Sequence, residues 1–159
     1  MIATARGAAG PRGLISLHFP AQDVAVRAAL LKVDAHLRSL GIDDDLCDRT
    51  QIALAEACNN IAEHAYAQVY SDDPSITLDI ACDRGGIQVT IRDKGGPMPE
   101  GQLPGPDLPP LDLDDPYLLP EGGFGWPILR SMARALSLSR CNGQNILRFR
   151  LPATDNPAN

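Results

Sequence analysis

The sequence predicts an α+β fold, a two-layer α/β sandwich. A mostly antiparallel sheet of about five strands carries about three helices on one face. Three observations predict it. Strand-like segments come in pairs joined by short turn signals, a connection open to antiparallel neighbours and closed to parallel ones. Helical patterns are gathered into few blocks instead of alternating singly with strands. The chain has 159 residues, 44% hydrophobic and 21% charged, which is enough for one core without staples.

Leu14–Phe19 alternates modestly and supplies a first strand after an expected flexible tail over 1–13. Pro20 then opens a helical stretch from Ala21 to Leu40. Val24, Ala28, Leu31 and Ala35 line one stripe of it, with Val26, Leu30, Val33 and Leu37 beside them. Gly41 stands where such a helix would end, and Asp43, Asp44 and Asp45 supply an N-cap and favourable charge for the next. The second helix is expected to reach about Tyr66, through Leu46, Thr50, Leu54, Ala57, Cys58, Ile61 and Ala65. A turn at Ser71–Pro74 breaks the pattern. Strands Ile76–Cys82 and Ile87–Arg92 follow, joined through Asp83, Arg84, Gly85 and Gly86. From Lys94 to Glu121 the chain is rich in proline and acid with little periodicity, and a loop this long is usually functional or disordered. Gly122-Gly123-Phe124-Gly125, then a helical stretch to about Leu136, and strands Leu136–Cys141 and Asn145–Leu151, joined through Asn142 and Gly143, complete a domain expected over 14–152. Residues 153–159 form a second tail.

Composition excludes several functions. A net charge of −6 and the absence of a Lys/Arg block argue against a nucleic-acid partner. No apolar run has the ~20 residues of a membrane span, and the N-terminal segment lacks the apolar region of a secretory signal. Cys47, Cys58, Cys82 and Cys141 stand far apart without ligand spacing, so reduced thiols and a cytoplasmic location are expected. His18 and His36 read as surface or packing residues.

Polarity falls out of pattern in three places. In the second helix Glu56, Asn59, Asn60, Glu63 and His64 interrupt small apolar residues, and Glu56, Asn60 and His64 fall on one face. An amide oxygen there can enter a Mg²⁺ shell and a carboxylate can accept a hydroxyl proton, although a solvated helix face would carry the same residues. Asp93 ends a strand before Gly95 and Gly96. It can accept a hydrogen bond from an adenine amino group or simply mark a turn. Gly122, Gly123, Phe124 and Gly125 open a helix and so offer backbone N–H groups to phosphates, as a lid hinge also would. The cluster lacks the Lys-Ser/Thr of a P-loop.

The three together resemble one family. Glu56-Ala57-Cys58-Asn59-Asn60-Ile61-Ala62-Glu63-His64-Ala65-Tyr66 resembles the N-box of the GHKL (Bergerat-type, histidine-kinase-like) ATPases, in the form found in anti-sigma-factor serine kinases. Asp93-Lys94-Gly95-Gly96-Pro97 and Leu119-Pro120-Glu121-Gly122-Gly123-Phe124-Gly125 resemble the two boxes that follow it, and Asn142-Gly143-Gln144-Asn145 before a strand matches as well. The likeness covers about residues 14 to 151. It implies ATP and Mg²⁺ as ligands, Glu56 as general base and Asn60 as metal ligand. Asn59 and His64 would line the nucleotide site. Asp93 would hold the adenine with Gly95 beside it, and Gly122, Gly123, Phe124 and Gly125 would contact phosphates under a lid over about 94–121. It further implies an anti-sigma factor that phosphorylates an anti-anti-sigma partner of STAS fold, sequesters a sigma factor and forms a homodimer. Departures are Trp126-Pro127 after the glycine box, Asn59 in place of Thr, and no Lys or Arg between Lys94 and Arg130. These keep open a module that binds ATP without phosphoryl transfer. A detached histidine-kinase catalytic domain fits less well, since His36 has no phosphoacceptor box around it.

Overall fold

The computed structural model describes residues 12–105 and 125–154. Strand β1 (Arg12–Pro20) leads into helix α1 (Asp23–Ser39) and helix α2 (Asp44–Asn60). Strands β2 (Ser75–Asp83) and β3 (Gly86–Asp93) form the first hairpin. Helix α3 (Gly125–Met132) precedes β4 (Arg134–Cys141) and β5 (Gln144–Pro152), the second hairpin. The five strands form one sheet in the order β1-β2-β3-β5-β4, and every pairing is antiparallel. This is the expected α+β sandwich. Asn142 and Gly143 both take positive φ, 51° and 74°, in the two-residue turn joining β4 to β5.

One face of the sheet packs under the helices. Ile76, Leu78 and Ile80 of β2, Ile87, Val89 and Ile91 of β3, and Leu147, Phe149 and Leu151 of β5 meet Val33, Leu37, Leu54, Ala57 and Leu129 in one core. Alternation of the strands makes this possible, because every second side chain reaches the same face. The opposite face is polar. There Ser16 donates to Asp79 at 2.6 Å, and Arg92 pairs with the same carboxylate.

The helix boundaries show where local signals held and where packing overrode them. α1 ends as expected at Gly41. Its φ of 73° lets the Gly41 and Ile42 N–H groups bond Arg38 O at 3.0 Å and Leu37 O at 3.2 Å. Asp43 caps α2, its carboxylate accepting the Leu46 N–H at 2.9 Å. Of the two stripes on α1, the one through Val26, Val33 and Leu37 faces the core, while Val24 and Leu31 lie exposed. α2 stops at Asn60 rather than near Tyr66 and widens into a π-helical turn over Ile61–Ala65. α3 is also shorter than expected. Ala133 still donates to Leu129 O at 2.8 Å, but Ala135 at φ 51° turns the chain into β4 through a register shift between Arg134 and Ser137.

Candidate nucleotide site

The site is built on the end of α2. Glu56 and Asn60, four residues apart, leave the same helix face one turn apart, and both are half-buried. Asn60 Nδ2 donates to the Glu56 carbonyl at 2.7 Å, which commits the amide nitrogen and leaves Oδ1 for a ligand. Gly125 meets this face at the start of α3. A Cβ on Gly125 would run into Glu56 Oε2, so the carboxylate lies against bare backbone at the positive end of a helix.

A second cluster stands at the end of β3. Asp93 is 5% exposed, and its Oδ1 accepts the Gly95 N–H at 2.9 Å and Asn145 Nδ2 at 2.9 Å. Burial raises the Asp93 pKa, against the lowering effect of those two bonds and of the Arg140 charge. Gly95 is buried because the π-helical turn is packed on it. A Cβ there would stand 2.6 Å from both Ala65 Cβ and Ala65 O. The Gly96 N–H donates to Ala65 O at 2.6 Å, and Tyr66 Oη accepts the Lys94 N–H at 3.0 Å while donating to Ser75 O at 2.8 Å. The end of α2 therefore holds the loop after Asp93 directly, and the two clusters share one support.

The sequence-expected residues divide three ways. Glu56, Asn60 and Gly125 come together, and Asp93 with Gly95 forms the second cluster at the other end of the same support. Asn59 is exposed and lines a groove between α1 and α2 with Arg27, Leu30 and Gln51, while His64 has 72% of its side chain exposed and lies 3.7 Å from Glu63. Gly122, Gly123 and Phe124 lie outside the described residues, as does most of the segment expected to form a lid. Arg130 holds the described part of that segment, donating to Pro104 O at 2.8 Å and Leu103 O at 3.4 Å. Trp126 is half-buried against the core.

Sequence reasoning missed Arg140 and Asn145 as parts of the site. Arg140 Nη1 donates to Asn145 Oδ1 at 2.6 Å and to Gly95 O at 3.0 Å. The signal was present, because Asn145 shares the inward parity of Leu147, Phe149 and Leu151, where a polar residue needs a partner.

Residues 19–151 match the histidine kinase-like ATPase domain family. The chain belongs to that family. Within it, the chain is similar to the serine-protein kinase RsbW of Bacillus subtilis, 26% identical over 83% of this chain and 81% of the relative. It is also similar to the serine-protein kinase RsbW of Bacillus mycoides, 25% identical over 84% and 81%. A crystal structure of RsbU and RsbW domains from Mycobacterium tuberculosis superposes with a TM-score of 0.57 at 17% identity, covering 89% of this chain. This chain spans about a third (33%) of the length of that one, and the likeness fixes the histidine kinase-like ATPase fold. Among the described residues no helix is long and apolar enough to cross a membrane. Nor is there among them a group of three or more His, Cys, Asp or Glu side chains that could hold a metal ion. A Mg²⁺ carried in by phosphates needs only one or two protein oxygens, and Asn60 Oδ1, which has no hydrogen-bond partner among the described residues, suits a cation that prefers oxygen.

Proposed function

We propose that this chain is an ATP-dependent protein serine/threonine kinase acting as a cytoplasmic anti-sigma factor. It binds Mg-ATP, phosphorylates an anti-anti-sigma partner of STAS fold, and sequesters a sigma factor, as a homodimer. The observation that carries the reading is the Glu56 carboxylate lying against Gly125 with Asn60 one turn away.

Asp93 accepts the adenine amino group through the carboxylate oxygen that Gly95 and Asn145 leave free. Asn60 offers Oδ1 to Mg²⁺, and the ion when bound supplies positive charge across the phosphates. The N-terminal end of α3, with Gly122 and Gly123 before it, gives backbone N–H groups to the same phosphates. Glu56 takes the proton of the partner's serine hydroxyl. As it does so, Oγ bonds to the γ-phosphorus, the bond to the β,γ-bridging oxygen breaks, and ADP leaves. Phosphoryl transfer depends mainly on positioning and charge neutralisation, which is what these groups provide.

Incubation with radiolabelled ATP, Mg²⁺ and the STAS partner is expected to give acid-stable phosphoserine. Glu56→Gln is expected to lower the rate about a hundredfold or more with ATP still bound. No phosphoserine with the native chain would overturn the kinase half of the reading. A second reading, ATP binding and sequestration without transfer, is favoured by Arg130. The first cation after Lys94, it is committed to the Leu103 and Pro104 carbonyls. Calorimetric ATP binding that Asp93→Asn abolishes, with no transfer to the partner, would select this second reading.

A further inference from the structure

The groups behind Asp93 form a row across three strands. Asn145 on β5 is the Cα partner of Asp93 on β3, and Arg140 on β4 is the Cα partner of Asn145. Asn145 is 7% exposed, and both of its amide protons are used, one on Asp93 Oδ1 at 2.9 Å and one on Gly96 O at 2.8 Å. Its Oδ1 faces Arg140 Nη1 at 2.6 Å.

The direction of this row is forced. A guanidinium can only donate, so Asn145 must turn its oxygen toward Arg140 and its NH₂ toward Asp93. An NH₂ facing Asp93 requires an acceptor at Oδ1. With the Gly95 N–H also arriving there and the Arg140 charge behind the row, the donors oppose the protonation that burial favours, so Oδ2 meets a ligand as a carboxylate acceptor.

We propose that Arg140 and Asn145 are positioning residues that commit Asp93 Oδ2 to accepting, so that the site takes a purine bearing a 6-amino donor and rejects one bearing a 6-oxo acceptor. This rests on the nucleotide reading above. A 6-amino group gives Oδ2 the proton it needs. A 6-oxo group would set two acceptors face to face in a buried place, the mismatch that polar sites discriminate against most strongly.

The test compares ATP with ITP, which differs by that one group, on the full chain by calorimetry with Mg²⁺ present. The native chain is expected to prefer ATP at least about a hundredfold. Asn145→Leu keeps the branched outline of the side chain and removes the amide. It is expected to weaken ATP about tenfold while leaving ITP nearly unchanged, so the preference collapses. Arg140→Ala frees Asn145 to turn over and is expected to reduce the preference several-fold. Arg140→Lys is expected to restore most of it, because a single nitrogen makes both Arg140 bonds. ATP and ITP weakening together, or an unchanged ratio in both variants, would overturn the proposal and leave the row a purely structural tie. A native chain that binds neither nucleotide would instead overturn the nucleotide reading. Thermal melting without nucleotide reports whether each variant folds. Should Asn145→Leu unfold, the Arg140 pair on the edge strand decides the matter alone.

Discussion

Gly95 and Gly125 are both pressed by a neighbour, but by neighbours of different kinds. At Gly125 the obstacle is the far end of the flexible Glu56 side chain, which can swing aside. Gly125→Ala is therefore expected to leave the melting temperature within about 2 °C of the native value while lowering phosphoryl transfer tenfold or more, since the base loses its place. At Gly95 the obstacle is Ala65 itself, backbone included, which cannot yield. Gly95→Ala is expected to destabilise the fold by about 1–3 kcal/mol in denaturant melts, with nucleotide binding lost alongside. The four thiols separate just as clearly. Burial pushes the Cys58 thiol up to about 12 and raises those of Cys47 and Cys82, while Cys141 is exposed on the second hairpin. A disulfide reagent at pH 8 is expected to find one fast thiol in the native chain and four after denaturation. Glu56 and Asn60 were legible in the sequence as polar residues sharing one face of a helix rich in small apolar ones, and Asp93 as the acid that ends a strand before Gly95 and Gly96. Arg140 was not, and Asn145 showed only as an inward polar residue in need of a partner, because strand register alone brings residue 145 beside residue 93.

At the scale of elements, the join between α1 and α2 is set by short-range chemistry. Gly41 ends one helix, Asp43 caps the next, and Arg38 clamps the two by bonding Asp34 at 2.9 Å, Asp48 at 3.0 Å and Asp44. Asp43→Ala removes the acceptor for the Leu46 N–H and is expected to cost about 1 kcal/mol, read from urea melts of the two chains. Turns and caps of this sort were legible in the sequence, and so were both hairpins. The π-helical turn was not, since Ile61–Ala65 carries ordinary helical composition and widens where Ala65 must meet Gly95 and Gly96. The choice between the two stripes of α1 was also hidden. Each is apolar, and only packing on the sheet buries Val33 and Leu37 while leaving Val24 and Leu31 outside. The end of α3 fails for a similar reason. Residues 133–136 would continue a helix on propensity alone, but Arg134 pairs with Arg150 in the sheet and ends it.

At the scale of the molecule, the covered face of the sheet supplies the core, and the carboxylates of the open face and of the site pull stability in opposite directions with pH. Burial pushes the Asp79 pKa up, but the bonds from Ser16 and Arg92 and the Arg92 charge outweigh it and leave the group below its ordinary value. Asp83 is lowered as well, by Arg150 across to β5 and by the Gly85 N–H. A carboxylate lowered in the folded state contributes stability above its unfolded pKa of about 3.9, and that contribution is lost as pH falls through the folded value. Asp93 has the opposite sign. Its pKa is raised by burial, so the folded state favours the neutral acid, and stability is lost as pH rises from the unfolded value through the folded one. At neutral pH the expected ligand-binding carboxylate thus works against the fold that holds it, a pattern functional sites often show. Asp93→Asn removes that burden along with the acceptor. In thermal melts from pH 3 to 8 it is expected to match or exceed the native melting temperature at pH 7, lose any advantage near pH 3, and fail to bind ATP throughout. Asp79→Asn and Asp83→Asn are expected to melt below the native chain at pH 7 and to converge with it in acid. An Asp93→Asn chain melting well below the native one at pH 7 would reverse the sign, and Asp93 would then be a structural tie whose ionised form the fold requires.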